Sequence, residues 1–109
     1  MRSKKIMAWL YYKQLNPNDV LFFRVKDCYE VYQEDAMNVC KIINVQVKEE
    51  VYERELVVTL NLPVNEGFEC ASLLSEHNLT TKMISQRDEN GEYSLPDIDK
   101  LKNEKTSDY

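Results

Sequence analysis

Four carboxylates that lie close together in the chain are the first residues whose type suggests chemistry. They are Asp27, Glu30, Glu34 and Asp35. Two or three converging carboxylates with an open coordination position could hold Mg²⁺ for phosphodiester cleavage. Glu34 and Asp35, however, stand at the predicted start of a helix, where the helix dipole favours acidic side chains. A metal-dependent nuclease is therefore the weakest of three functional hypotheses.

The other reactive side chains are too few and too widely spaced to form a familiar site. Cys28, Cys40 and Cys70 include no Cys-x-x-Cys pair, and His77 is the single histidine. A structural zinc site needs four ligands at close spacings. The chain has two glycines, so neither a phosphate-binding loop nor a dinucleotide fingerprint can be built. We expect reduced cysteines, no metal, no cofactor and no enzymatic activity.

The composition fits a globular domain without a membrane span. The chain has 109 residues, of which 43% are hydrophobic and 30% charged, as is usual for one domain. The longest apolar run covers residues 6–12, whereas a membrane span needs about 20 residues. No small-residue cleavage site follows the basic N-terminus. We therefore expect a cytoplasmic protein with no membrane partner.

Charge is distributed unevenly along the chain. The formal net charge of −5 argues against strong nonspecific nucleic-acid binding, because phosphate neutralisation drives that affinity. Positive charge is nevertheless concentrated near the N-terminus, at Arg2, Lys4, Lys5 and Lys13. A local basic patch is therefore compatible with the acidic chain.

The elements that must position these residues follow from hydrophobic periodicity. The predicted helices cover residues 4–15, 34–44 and 66–77, and the predicted strands cover residues 20–25, 29–32, 45–52, 55–62 and 80–85. Consecutive strands predict hairpins, so the sheet should be mixed. We expect an α/β (α+β) fold with a mixed central β-sheet flanked by about three helices. One domain should cover residues 1–95, and residues 96–109 should form a polar, flexible tail.

The first helix has one predicted apolar face. Met7, Leu10, Tyr11 and Leu15 fall near this face, which predicts that it is the buried one. Ser3 precedes the helix and suits its N-cap position.

Residues 17–36 carry a resemblance to a known family. They read Pro-Asn-Asp-Val-Leu-Phe-Phe-Arg-Val-Lys-Asp-Cys-Tyr-Glu-Val-Tyr-Gln-Glu-Asp-Ala. This segment resembles the opening of the N-terminal mismatch-recognition domain of the MutS DNA mismatch repair proteins. There a helix and a proline precede Leu-Phe-Phe-Arg, then Gly-Asp-Phe-Tyr-Glu-Leu-Phe, then an Asp-Ala that enters a helix. Residues 63–68 resemble the family's Pro-Tyr-His-Ala-Ala-Glu-Gly-Tyr in shortened form, and the resemblance covers about residues 5–87.

The resemblance implies DNA-binding roles for four residues. In the family, the Phe of a Phe-x-Glu motif wedges into the minor groove and stacks on a mispaired base, and the Glu hydrogen-bonds that base. Glu30 matches this Glu, and Cys28 stands at the position of the Phe. Lys26 stands where the family has Gly, and Arg24 and Lys26 are candidates for phosphate contact. A thiol has no π-face, so base stacking worth about 1–3 kcal/mol is missing.

Two functional hypotheses remain beside the nuclease. The first is a non-enzymatic module that binds mismatched or distorted double-stranded DNA. Nothing in the chain resembles the connector, clamp, lever or ATPase of MutS, so we expect no ATP hydrolysis.

The alternative is a protein-interaction or regulatory module that kept the fold and lost lesion recognition, which Cys28 and the negative charge favour. Positive surface around residues 26–30 would favour DNA, and an apolar or acidic patch there would favour a protein partner. Considered without the family, Glu30 is a solvent-facing strand residue.

Overall fold

Helices and strands alternate along most of the chain, as the sequence predicts. A computed structural model describes residues 2–107, with side chains described for residues 2–102. The helices are α1 (Lys4–Leu15), α2 (Gln33–Ile42), α3 (Gly67–Glu76) and α4 (Ile98–Ser107), and a 3₁₀ turn (Val64–Glu66) precedes α3. The strands are β1 (Asp19–Val25), β2 (Cys28–Tyr32), β3 (Val47–Tyr52), β4 (Glu55–Pro63) and β5 (Thr80–Ile84).

The five strands form one mixed sheet in the order β3-β4-β2-β1-β5. Strands β1 and β2 form one antiparallel hairpin, β3 and β4 form another, and β2 also pairs antiparallel with β4. Strand β5 runs parallel to β1, because α3 returns the chain to the same end of the sheet before β5 begins. The predicted mixed central sheet is confirmed. No helix within residues 2–107 is long and apolar enough to cross a membrane.

Helices cover both faces of the sheet. On one face, α2 and α3 pack against Phe22, Val31 and other buried strand residues. On the opposite face, α1 and α4 pack against Leu21, Phe23 and Tyr32. Residues of β1 therefore enter the two cores alternately, as side chains of a strand must. This arrangement explains why β1 is almost continuously apolar.

The predicted apolar face of α1 is only partly the buried one, since Met7, Leu10 and Tyr11 pack half-buried against the core on this side of the sheet. Ile6, Ala8 and Trp9 are the buried residues of this helix, whereas Leu15 is 59% exposed. The reason lies outside the helix: the indole Nε1 of Trp9 donates a hydrogen bond to Asp35 at 2.9 Å. This contact turns Trp9 towards the sheet. The predicted N-cap is confirmed, because Ser3 Oγ accepts a hydrogen bond from the backbone of α1.

Helix α4 lies in the segment that was expected to be a flexible tail, and the sequence did not predict it. Ile98 is buried on the α1 face of the sheet, and Leu95 and Leu101 pack around the same cluster. These three apolar residues stand in a strongly charged stretch. Their grouping is too sparse to give a clear helical period.

Asp35 differs from an ordinary acid at the start of a helix. It is buried, and its carboxylate accepts hydrogen bonds from Trp9 Nε1 at 2.9 Å and from the backbone N–H of Leu21 at 3.1 Å. Lys13 Nζ lies 2.8 Å from the other carboxylate oxygen. Asp35 therefore joins α1, β1 and α2 through one charge-assisted network.

The junction between β2 and α2 contains no loop. Gln33 adopts a left-handed backbone with φ 55°, so its side chain continues along the sheet. Its amide nitrogen donates to the Leu56 carbonyl, and its amide oxygen accepts from the Val58 N–H at 2.7 Å. The side chain thereby replaces the next backbone pair of the ladder with β4. This fixes the end of β2 and the start of α2 in relation to the sheet.

Candidate nucleic-acid interface

The turn between β1 and β2 consists of Lys26 and Asp27. Lys26 has φ 53°, a left-handed conformation that favours glycine, and glycine is the residue that the MutS resemblance places there. The Lys26 N–H donates to the Tyr93 carbonyl at 2.9 Å, and the Asp27 carbonyl accepts from the Val64 N–H at 3.3 Å. The turn is therefore held from both sides despite its strained backbone.

A second chain segment brings Arg87 and Tyr93 close to Arg24 of β1 beside this turn. Arg24 Cζ lies 4.1 Å from the centre of the Tyr93 ring, and Arg87 Cζ lies 4.4 Å from it. Arg24 Nε also donates to the Lys26 carbonyl at 2.8 Å. Within the part of the chain that the structure describes, Arg24, Lys26 and Arg87 take part in none of the ion pairs. Sequence reasoning missed Arg87 and Tyr93, which lie outside the predicted helices and strands.

The charge around the turn is mixed. A shallow cavity of about 440 Å³ lies beside it, and its lining includes Arg24 and Lys26 together with Asp27 and Glu92. The carboxylates weaken the positive potential that phosphates would meet. This end of the sheet is thus neither strongly basic, as tight DNA binding would favour, nor apolar or acidic, as a protein partner would favour.

The four predicted site residues do not share one face of the sheet. Strand alternation puts Cys28 and Glu30 on the face covered by α1, together with Tyr32. Arg24 lies opposite Tyr29 in the register and points to the other face. Lys26 lies in the turn between them. Lys26 and Cys28 are therefore close to the tip, whereas Glu30 lies further inside the sheet.

Glu30 is not a solvent-facing strand residue, because its side chain is only 15% exposed. Its Oε1 accepts a hydrogen bond from the Tyr32 hydroxyl at 2.7 Å and lies 3.4 Å from Lys5 Nζ. Burial and the adjacent Glu30 carboxylate raise the pKa of Tyr32, so its hydroxyl stays protonated as a donor. The Glu30 carboxylate is thereby held against α1. Lys5 is too distant in sequence for periodicity to pair it with Glu30.

Cys28 offers neither a nucleophile nor a stacking surface. Its Sγ donates to the Val25 carbonyl at 3.4 Å. Burial raises the pKa of the Cys28 thiol, and the carboxylates of Glu30 and Asp27 raise it further. The thiol is therefore protonated at neutral pH, and the thiolate that would be reactive is absent.

Comparison with known families finds a match over most of the chain. A family model described as MutS domain I matches residues 5–103 of the chain. The chain therefore belongs to the MutS domain I family, a family of DNA-binding domains related to mismatch repair. The match extends past residue 87, where the sequence resemblance ended, and includes the first part of α4. A comparison with curated proteins found no match.

Proposed function

We propose that this domain binds mismatched or distorted double-stranded DNA, mainly through the phosphate backbone. Membership of the MutS domain I family supports a DNA partner. The observation that carries the proposal is the tip of the β1–β2 hairpin, where Arg24 of β1 and Lys26 of the turn have no ion-pair partners among the described residues. Cationic side chains at a fixed turn suit phosphate contacts, which position a protein on a duplex.

Lesion preference must then arise without an aromatic wedge. A mismatch or an unpaired base lowers the cost of bending and unstacking the duplex. A domain that holds the backbone in a bent shape would therefore prefer such sites modestly. Glu30 can hydrogen-bond a base only if it leaves Lys5 and Tyr32, so its contribution to binding should be small.

Fluorescence anisotropy with short labelled duplexes tests the proposal. The duplexes are fully paired, carry one G·T pair, or carry one unpaired T. We expect weak binding that falls steeply as salt rises from about 50 to about 200 mM. Arg24→Gln and Lys26→Gln should each weaken binding to all duplexes and reduce the salt slope by about 1. Lys41→Gln, at an exposed position on α2, is the matched control and should behave like the wild type.

Glu30→Ala separates lesion reading from backbone binding in the same assay. If Glu30 stays bound to Lys5, this variant keeps the preference of the wild type for the distorted duplexes. A loss of preference with unchanged binding to paired DNA would mean that Glu30 reaches the base. Failure of the wild type to bind any duplex at low salt would contradict DNA binding altogether.

The alternative, a protein-interaction module, is supported by one observation. At the end of the β3–β4 hairpin, Val51 is 75% exposed and pairs across the strands with Leu56, which is also exposed. Met37 and Leu56 line one shallow cavity on the same face. Exposed apolar groups in contact often mark a protein-binding surface. Sedimentation velocity of the wild type and of Leu56→Lys tests this surface for self-association, which only the wild type should show.

A further inference from the structure

A groove that could hold a ligand lies far from the β1–β2 turn. It has a volume of about 650 Å³ and runs between α1, α4 and the end of the β3–β4 hairpin. This volume falls in the range of small-molecule sites, which is about 300–1,000 Å³. Cys28, beside the β1–β2 turn, pairs with Pro63 at the C-terminal end of β4. The groove borders the other end of β4, where the β3–β4 hairpin turns.

The lining of the groove is positively charged, whereas the chain as a whole is negatively charged. Three cations line it, Arg2, Lys4 and Lys102, against one carboxylate, Asp99. Arg2 also lies 3.7 Å from Glu55, a long and exposed ion pair of the kind that contributes little. In a chain with a formal net charge of −5, this local excess of positive charge favours an anionic ligand.

The remaining lining is apolar and aromatic. Met7 of α1 and Ile98 of α4 contribute apolar surface, and Tyr11 and Tyr52 contribute aromatic rings. Tyr52, at the end of β3, is 45% exposed, so its ring is accessible. Cationic side chains combined with exposed aromatic rings are what proteins use to hold nucleotides of a single strand, with phosphates on the cations and bases on the rings.

The turn beside Tyr52 has a strained backbone. Glu53 has φ 46° and Arg54 has φ 70°, so both residues of this two-residue turn are left-handed. Such turns usually contain Asn-Gly or Asp-Gly, because other residues adopt this backbone at a cost. Strain of this kind is concentrated at functional sites. Here the turn fixes Tyr52 and its partner Glu55 at the border of the groove.

We propose that this groove binds a nucleotide unit, with the phosphate on Lys4, Arg2 and Lys102 and the base against Tyr52. The unit is either a free nucleotide or one residue of a single-stranded nucleic acid, since both present the same phosphate and base. The site is separate from the β1–β2 turn and does not depend on duplex binding there.

Anisotropy of a fluorescein-labelled (dT)12 strand at low salt tests the groove. We expect the wild type to bind it, and Tyr52→Ala to lower the affinity about tenfold through loss of base stacking. Tyr52→Phe, which keeps the ring, should restore binding. Val51→Ala is the matched control, because Val51 is the neighbouring exposed residue on the opposite face of β3. Lys4→Glu and Lys102→Glu should weaken binding, whereas Lys100→Glu, exposed on the same helix α4, should not.

Unlabelled thymidine monophosphate and ATP separate the two sources of the ligand. Displacement of (dT)12 by either mononucleotide assigns the groove to single nucleotides. Displacement only by unlabelled (dT)12 assigns it to a strand. The proposal is overturned if the wild type does not bind (dT)12, or if Tyr52→Ala and Lys4→Glu bind as the wild type does. It is also overturned if only Arg24→Gln and Lys26→Gln weaken the binding, because the strand would then lie on the β1–β2 turn.

Discussion

The polar side chains at the two ends of strand β2 differ in whether they have partners within the protein. After Tyr32, the side chains of Gln33 and Asp35 hydrogen-bond β4, β1 and α1 inside the protein. Before Cys28, the chain passes through a strained turn at Lys26, where cations lack carboxylate partners among the described residues. The inner end fixes the fold through satisfied polar contacts. The outer end leaves cationic side chains without ion-pair partners within the part of the chain that the structure describes, as the proposed phosphate contacts require.

Glu30 shows how this difference affects inference from a family. It stands between the two ends, and its residue type matches the family position that reads the base. In this chain its carboxylate contacts Tyr32 and Lys5, so it belongs to the inner, structural end. A matching residue type is therefore not sufficient to predict the same contact, because side chains from elsewhere in the chain can bind the same carboxylate.

The largest effect is expected from breaking the inner end. Asp35→Ala leaves the Trp9 indole N–H and the Leu21 N–H without their acceptor, and it removes the carboxylate partner of the Lys13 ammonium, which keeps the Asp19 carbonyl. Removing one partner of a buried ion pair costs about 3–5 kcal/mol. We expect the free energy of unfolding, measured by urea denaturation, to fall by this amount. Glu34→Ala, at an exposed neighbouring position, should change it by less than about 0.5 kcal/mol, and equal losses in both variants would contradict a specific role of Asp35.

A smaller loss is expected where α3 approaches the outer end. A Cβ added at Gly67 would lie 2.5 Å from the Tyr29 ring, so the ring or the helix must shift. Overpacking of this kind costs about 1–3 kcal/mol. Gly67→Ala should therefore lower the midpoint of urea unfolding, whereas Ser72→Ala, exposed on the same helix, should not. An unchanged midpoint in Gly67→Ala would show that Tyr29 moves without cost.

Restoring an aromatic side chain tests the outer end directly. Cys28→Phe supplies the stacking surface that the thiol lacks, and stacking contributes about 1–3 kcal/mol per base. We expect anisotropy to show at least a fivefold gain in preference for the duplex with an unpaired T, on the order of the lower limit of that contribution. Cys40→Phe, at a half-buried thiol on α2, serves as the control. A gain of equal size there would point to nonspecific hydrophobic binding.

The smallest expected effect is on the pH dependence of stability, which can be compared between the two ends of β2. The pKa of Tyr32 is raised, so its contribution to stability is present below its usual value of 10 and is lost as pH rises through the folded value. We expect the unfolding temperature of the wild type to fall above about pH 10, and less steeply in Tyr32→Phe. Cys28 has a raised pKa at the partly exposed outer end, so Cys28→Ser should change this slope less. A larger change of slope in Cys28→Ser than in Tyr32→Phe would contradict the comparison, because it would mean that Cys28 is the more strongly buried group.

Most of the helices and strands, and the family, could be predicted from the amino-acid sequence alone. Bounds of helices and strands follow from periodicity within about ten neighbouring residues, and the structure agrees with most of them within two residues. The ordered matches in residues 17–36 were enough to identify the family, which the match over residues 5–103 confirms. Both kinds of information are local in the chain.

The contacts between distant side chains, by contrast, depend on the tertiary structure. Lys5 and Glu30, or Trp9 and Asp35 at a separation of 26 residues, have no common local pattern. Their pairing depends on how α1 crosses the sheet. The same dependence explains why the most deeply buried residues of α1 differ from the predicted ones and why helix α4 was not predicted, since Ile98 acquires a buried position only when α1 and the sheet are already in place. Periodicity reveals which residues favour burial, but the partner surface determines which of them are buried.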